Sequence, residues 1–383
     1  MKKVIMLLSN PFKPDPRVYK EARSLVNNGY DVTVLAWDRE GKYPKKEVID
    51  GIKIERIRLK SKYGNTLELF FLLPLWQFIA FFKLLNRRYD LLHCHDFDTL
   101  TVGILLKKIK NKKIIYDAHE SYPDMIKSSI PTLLYKFIFA LESFYLKKID
   151  YLITVNKILK EYFEKRGTSK TETIMNCYDK QDFRIYQKKI DKITKQLNLK
   201  NKFVIVYIGV LIKDRGLREL VESFKYQKDD SIKLLIFGYG PIKNNLNKIV
   251  EKYNLQDKVF LLGEIHPTMV PSYISIGDLI PIIYKFNENN KFASPNKLFE
   301  AITLSKPLLV SDIGILGNFV RKFDCGIILE SFDPKKIAET LKKIKNDYQL
   351  IEKMKKNTEK AYREYNWELE SKKLLKIYEE VLR

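Results

Sequence analysis

The chain has 383 residues, enough for two domains at roughly 150 residues each, with cores that need no covalent staples. Hydrophobic residues make up 45% and charged residues 31%, which excludes a disordered, collagen-like or mucin-like chain. Lys and Arg total 70 against 47 Asp and Glu, and the net charge of +23 favours an anionic partner: nucleotide phosphates, nucleic acid or an acidic membrane face.

The apolar run Val4–Leu8 is too short for a signal-peptide core, and Ser9-Asn10-Pro11 ends it. Lys3–Leu8 reads as a strand. Asp15 is placed to cap a following helix, with Pro16 at its first position, apolar residues at 18, 22, 25 and 26 on one face, and Gly29 as its stop. Further strands are predicted at 31–36, 51–57, 91–93, 114–116 and 151–155. Strands alternating with helices argue for a parallel sheet covered on both faces. The run Leu69–Phe82 is nearly all apolar but falls short of the roughly 20 residues that span a bilayer, and Pro74 and Gln77 interrupt it. Arg56, Arg58, Lys60 and Lys62 precede it, and Lys83, Arg87 and Arg88 follow. An apolar, aromatic segment with a basic rim fits an element lying on anionic lipid. A buried core helix is the other reading.

Residues 180–201 are Lys-rich with weak periodicity and read as a connector. The alternation then restarts, with strands predicted at 203–208, 233–237, 259–262, 279–283, 307–310 and 326–329. Leu217, Leu220, Val221 and Phe224 mark one face of a helix. Two similar doubly wound units in tandem would bind ligands beyond the carboxyl ends of their strands. Cys94, Cys177 and Cys325 are odd in number and far apart, which argues against a disulfide framework and for a reducing compartment.

Three junctions in the second half could hold an anion. Ser294 can cap a helix opening at Pro295, whose free N–H groups, next to Asn296, would meet phosphate with Lys297 one turn in. Glu300, a turn further along that face, suits a diol attached to the phosphate; an ordinary capped helix is the alternative. Gly209 and Gly216 bracket Lys213 and Arg215 at a strand–helix turn, and Arg suits bidentate phosphate contact. Phe237-Gly238-Tyr239-Gly240-Pro241 allows close backbone approach but is not a dinucleotide fingerprint, because Lys243 replaces the third glycine. In the first half His119 follows a strand end and could transfer a proton or bond a sugar hydroxyl. His93-Cys94-His95-Asp96 has metal-like spacing, but the other histidines are only His119 and His266, so strand-end packing or a cleft role is preferred and no metal is expected. Neither a G-x-S-x-G elbow nor a Walker A loop is present.

Together these residues resemble the family 4 glycosyltransferases, also grouped as glycosyl transferases group 1. The likeness spans the chain: SPNKLFEAITLSKPLLVSDIG (Ser294 to Gly314), YIGVLIKDRGLRELVESF (Tyr207 to Phe224), LLIFGYGP (Leu234 to Pro241), VFLLGEI (Val259 to Ile265), HCHD (His93 to Asp96), YDAHE (Tyr116 to Glu120) and DPRVYKEA (Asp15 to Ala22). The resemblance implies an α/β protein of GT-B architecture: two facing Rossmann-like domains with parallel sheets and an interdomain cleft. It places an acceptor domain at 1–185, a donor domain at 186–366, and a tail helix, 367–383, packing back on the first. It implies a retaining enzyme that moves a sugar from a nucleotide diphosphate sugar, UDP- or GDP-linked, to a lipid-linked or polysaccharide acceptor in cell-surface glycan synthesis.

By the same resemblance Glu300 would accept hydrogen bonds from the donor ribose, and Arg215 and Lys297 would bind the diphosphate. Gly209, Ser294 and Asn296 would line the donor site, and Gly238, Tyr239 and the backbone near Glu264 and Ile265 would flank the base. His119 would sit beside the donor sugar, and Asp15, Arg17, Glu21, His95 and Asp96 would lie toward the acceptor. No metal and no cofactor are implied, the nucleotide sugar being a substrate. There are two departures. Phe292 stands where the family often has a first glutamate, with Glu288 nearby out of register, and Val210 stands where an Arg often follows the glycine. Glu300, Arg215 and Lys297 are thus left to carry the donor site.

The competing readings are a sugar-nucleotide epimerase of similar fold and a basic nucleic-acid-binding protein. The second lacks any helix-turn-helix, zinc-finger or RNA-binding signature, and its charge is spread along the chain. The expected location is cytoplasmic, peripheral on the inner membrane face through residues 69–82.

Overall fold

The computed structural model describes residues 1–13, 15–61, 66–288 and 290–383, excluding the side chains of Thr66, Leu67, Leu69, Phe70 and Ser128. Lys62 and the Leu69 and Phe70 side chains, which the predicted membrane segment and its rim include, therefore lie outside the described residues. The chain forms two compact units, Met1–Met175 with Glu370–Arg383, and Asn176–Leu369.

The first unit runs β1 (Lys3–Leu8), α1 (Pro16–Asn27), β2 (Asp31–Asp38), β3 (Lys46–Ile49), β4 (Ile52–Arg58), α2 (Thr66–Leu85), β5 (Leu91–His95) and α3 (Phe97–Lys110). It continues with β6 (Lys113–Ala118), α4 (Tyr122–Ile126), α5 (Thr132–Leu146), β7 (Tyr151–Thr154), α6 (Lys157–Glu164) and β8 (Thr171–Thr173). The sheet order is β3-β4-β2-β1-β5-β6-β7-β8. Among the described residues, only β3 and β4 pair antiparallel. Helices on both faces bury the strands, which is why β1 and β7 read as apolar runs rather than alternating ones. As predicted, Asp15 caps α1 by accepting from the Val18 N–H, Pro16 opens it, and Gly29 follows it at positive φ. The short strands β3 and β8 were not predicted. β3 is an edge strand that exposes Lys46 and Val48, and the two-residue turn Asp50-Gly51, both at positive φ, folds it onto β4.

The second unit runs α7 (Gln187–Gln196), β9 (Phe203–Ile208), α8 (Leu217–Ser223), β10 (Ile232–Phe237), α9 (Lys243–Lys252), β11 (Val259–Gly263), α10 (Val270–Ile276) and β12 (Ile280–Ile282). After these come α11 (Asn296–Thr303), β13 (Leu308–Ser311), α12 (Leu316–Phe323), β14 (Gly326–Leu329), α13 (Pro334–Asn346) and α14 (Tyr348–Glu364). Two parallel sheets, β11-β10-β9 and β12-β13-β14, are joined where Leu279 bridges Ile205. Within the residues read as a connector, Gln187–Gln196 form the helix α7. Residues 176–185 group with this unit rather than the first. Tyr186 N–H donates to Ser272 Oγ (2.9 Å) and Lys180 N–H to Tyr362 Oη (3.1 Å), which ties them there. The last helix, α15 (Trp367–Leu382), belongs to the first unit from Glu370 onward, where Glu370 accepts from the Met175 N–H (2.9 Å).

Helix α2 is longer than the predicted apolar run, and Trp76, Ala80 and Leu84 form its buried stripe. Trp76 stacks on Trp37 with centroids 5.8 Å apart. No helix among the described residues is long and apolar enough to cross a membrane.

Candidate functional site

In the second unit the predicted donor residues gather at the carboxyl edge of the strands. After β9, β10 and β11 the chain turns sharply, and the turns are laced by backbone hydrogen bonds: Gly209 N–H to Phe237 O (3.0 Å), Gly238 N–H to Gly263 O (2.7 Å) and Leu211 N–H to Tyr239 O (2.7 Å). Gly238 has φ +148°, and a Cβ there would meet the Gly209 carbonyl oxygen at 1.9 Å, so only glycine lets these two turns touch. Tyr239 is left exposed beside them. Glu264 and Ile265 follow β11 directly, with Glu264 exposed.

Two cations stand in this region, each on an aromatic face. The Arg215 guanidinium lies 3.7 Å from the Tyr284 ring centroid, and its Nη1 donates to Asn290 Oδ1 (3.2 Å). Lys297, in the first turn of α11, holds its Nζ 3.8 Å from the Tyr207 centroid. A Cβ at Gly209 would sit 2.9 Å from that Nζ, so the ammonium lies directly against the glycine turn. Neither cation has an ion-pair partner among the described residues. Burial, and then repulsion from Arg215, push the Lys297 ammonium down to about 7, opposed by Glu300. Glu300, a turn further along α11, accepts from Tyr178 Oη (3.4 Å). One local expectation is corrected. Helix α11 opens at Asn296, with extended Pro295 at its N-cap and no side-chain cap, so Ser294 is not the capping residue. Phe292, at the departure from the family pattern, is buried.

In the first unit the histidine motifs meet helix α1 in a buried charge cluster. Arg17 donates to both oxygens of Asp117 (3.0 and 2.8 Å) and to the Ile174 carbonyl (2.9 Å), and lies 3.2 Å from Glu21. His93 and His95 stack at 4.2 Å, and His95 Nδ1 is 3.3 Å from Asp117 Oδ2. His93 Nδ1 also meets Tyr378 Oη at 2.6 Å. Arg17, Glu21 and His95 are all buried: Arg17 lies against Glu21 and Asp117, and His95 against Asp117. Asp15 is likewise occupied, one oxygen capping α1 and the other accepting from Asn10 (2.8 Å).

His119 is the partly exposed member. Its Nδ1 is 3.2 Å from Asp96 Oδ2 and its Nε2 is 3.1 Å from Asp117 Oδ2. A carboxylate on each nitrogen favours the charged imidazolium form. Burial alone would disfavour that charge, but Asp96 and Asp117 hold its pKa well above the usual histidine value. Both ring nitrogens are thus engaged by carboxylates in this structure. Asp96 reaches this position with φ 61° and ψ 163°, a strained backbone for a residue with a Cβ, and the strain aims its carboxylate at His119 instead of capping α3. Burial acts to raise the Asp117 carboxyl, but Arg17, His119 and His95 together hold it well below the usual range. Burial pushes Glu21 up to about 7 against the pull of Arg17.

Sequence reasoning assigned no role to Asp117, Tyr207, Tyr284 or Asn290. For Asp117 a signal existed, since strand alternation sets it and His119 on one side of the chain. Donor atoms of Glu21, His93, His95 and Asp117 all lie within 4.8 Å of one another, a grouping that could hold a metal ion. Here the Arg17 guanidinium already lies against both carboxylates.

Residues 17–182 match the Glycosyltransferase Family 4 model, and residues 189–361 match Glycosyl transferases group 1. An uncharacterized glycosyltransferase of Methanocaldococcus jannaschii is 24% identical over 93% of this chain and 91% of its own length. A Staphylococcus aureus capsular polysaccharide biosynthesis glycosyltransferase is 31% identical over 44% of this chain and 43% of its own. Among solved structures, Anabaena HepE in complex with UDP-glucose has a TM-score of 0.76 at 15% identity, covering 98% of this chain and 99% of that one.

Proposed function

We propose, for a chain that belongs to the family 4, group 1 glycosyltransferases and has the GT-B fold, that it transfers a sugar from a nucleotide diphosphate donor with retention of configuration. The observation that carries the donor reading is the pair of unneutralised cations, Arg215 and Lys297, beside the Gly209 turn, with Glu300 a turn beyond Lys297. The two cations would take the diphosphate and Glu300 the ribose. UDP-glucose in the HepE structure supports a nucleotide sugar donor.

In the reaction proposed, the bond from the anomeric carbon to the β-phosphate oxygen breaks through an oxocarbenium-like state. The departing phosphate takes the acceptor's proton on the face it leaves from, so no carboxylate nucleophile is needed. The chain's own share is positioning and electrostatic: Arg215 and Lys297 stabilise the charge that grows on the phosphate. His119, as an imidazolium flanked by Asp96 and Asp117, contributes fixed charge rather than proton transfer. No metal is required in this reading. A cation entering the Glu21, His93, His95 and Asp117 cage would meet Arg17, and chelator treatment should leave the melting temperature unchanged.

The acceptor class proposed is lipid-linked or polysaccharide, reached from the inner membrane face, with residues 69–82 and their basic flanks on anionic lipid. The capsular polysaccharide relative supports the polysaccharide part. The test is a melting-temperature panel of UDP-, GDP-, ADP- and CMP-sugars, because a bound donor stabilises by mass action. At least one diphosphate sugar should stabilise the protein while the monophosphate-linked CMP-sugar does not, and Glu300→Ala should reduce that shift. A panel with no stabilisation, or an undiminished shift in Glu300→Ala, would contradict the donor assignment.

A further inference from the structure

Large exposed apolar side chains in the first unit concentrate on three helices. On α2, Phe71, Leu75, Phe78 and Phe82 are exposed at spacing i, i+4, i+7, i+11, opposite its buried stripe. Helix α5 repeats that spacing with Leu133, Phe137, Ala140 and Phe144. Helix α3, which packs against both, exposes Leu105 and Ile109, one turn apart. Leu133 is 81% exposed and Phe71 65%, far more than isolated surface leucines or phenylalanines need.

The charge around this surface has one sign. Glu68, Asp98 and Glu142 are the acidic residues of the three helices, and none is exposed; Glu142 is buried against Arg166. Lys108 and Lys136 are exposed on the helices, and Arg88, Lys147 and Lys148 are exposed at their ends.

We propose that α2, α3 and α5 together form one docking face for an anionic bilayer surface. This deepens the membrane contact proposed above and rests on it, replacing a single segment with a three-helix layer. The apolar stripes would enter the headgroup–acyl boundary while the lysines and arginines meet lipid phosphates. A second copy of the chain suits this face poorly, because a two-fold contact would set the same cations opposite one another.

The test is co-sedimentation of the full chain with phosphatidylglycerol-containing and with pure phosphatidylcholine vesicles. Two variants are compared: Phe71→Ser/Phe78→Ser/Phe82→Ser on α2 and Leu133→Ser/Phe137→Ser/Phe144→Ser on α5. Each should weaken binding to anionic vesicles about tenfold or more, while all three proteins bind neutral vesicles poorly. An unchanged melting temperature shows that the variants are folded, since these side chains are already exposed. Loss in the α2 variant with wild-type binding in the α5 variant would overturn the three-helix face and leave the single-segment reading standing. Wild-type binding by both would overturn both readings. Equal binding to neutral and anionic vesicles would overturn the choice of anionic lipid, and a wild-type dimer that ignores vesicles and dissociates in either variant would make the face a self-contact instead.

Discussion

The Lys297 ammonium rests 3.8 Å from the centroid of the Tyr207 ring, and no carboxylate among the described residues pairs with it. A cation held against an aromatic face by burial has lost water and gained no counter-ion. It waits for an anion, and its protonation responds when one arrives.

Donor affinity should therefore depend on pH. Lys297 in the free protein titrates at about 7, while a bound diphosphate favours the charged form. Above that value binding must take up a proton, so affinity falls with rising pH, by up to about tenfold per unit. Titrating the stabilising nucleotide diphosphate between about pH 7 and 9 avoids the phosphate's own second ionisation near 6. Lys297→Arg should flatten the profile, and an identical slope in that variant would assign the proton to another group.

Tyr207 should matter through its ring. Tyr207→Phe keeps the face and loses only the hydroxyl's bond to the Val210 carbonyl. Its nucleotide diphosphate affinity is expected within about threefold of wild type. Tyr207→Leu removes the cation–π contact, worth about 0.5–2 kcal/mol, and should bind about three- to thirtyfold more weakly. Equal affinities for Phe and Leu, measured by calorimetry, would leave the ring without a role.

Arg17 should prove structural. Removing it leaves Asp117 and Glu21 buried without their cation, a loss of about 3–5 kcal/mol. Two of the three tryptophans, Trp37 and Trp76, lie in the first unit and report its unfolding by fluorescence. Arg17→Ala should shift that transition to markedly lower urea; an unmoved transition would mean the cluster is not a stabilising element.

His119 should remain protonated through neutral pH. Because its folded pKa is raised, the stability it contributes is complete below the unfolded value near 6.5 and is lost as pH rises through the folded value. Asp117 works in the opposite sense: its stability is present above about 3.8 and is lost as pH falls through its depressed value. Imidazole proton shifts followed by NMR should keep His119 in its charged form at pH 7.5, whereas Asp96→Asn should lower its midpoint. A midpoint near 6.5 in the wild type would remove the imidazolium from the account.

The parallel strands were legible because burial on both faces writes them as unbroken apolar runs, and α1 because Asp15, Pro16 and Gly29 mark its ends. The edge strand β3 was not, since charged residues on an exposed edge carry no such run, although Asp50-Gly51 announced its turn. Arg17 and Glu21 were placed toward the acceptor by the family resemblance alone, and charged residues on a helix give no local sign of burial. Their burial depends on Asp117, 100 positions from Arg17, and nothing local signals that pairing. Tyr207 and Tyr284 were hidden for the opposite reason: an aromatic residue at a strand end reads as core, and only the packing reveals a cation on its face. The motif around Lys297 and Glu300 was legible because its parts lie within one helical turn of each other.

The most direct measurement is calorimetric titration of the stabilising nucleotide diphosphate into the wild type and into Arg215→Ala/Lys297→Ala. Each cation replaces water with a charge-assisted contact worth about 1.5–3 kcal/mol, so the double variant should bind at least about a hundredfold more weakly, with its melting temperature preserved. Wild-type affinity in a folded double variant would contradict the assignment of the diphosphate to these two residues.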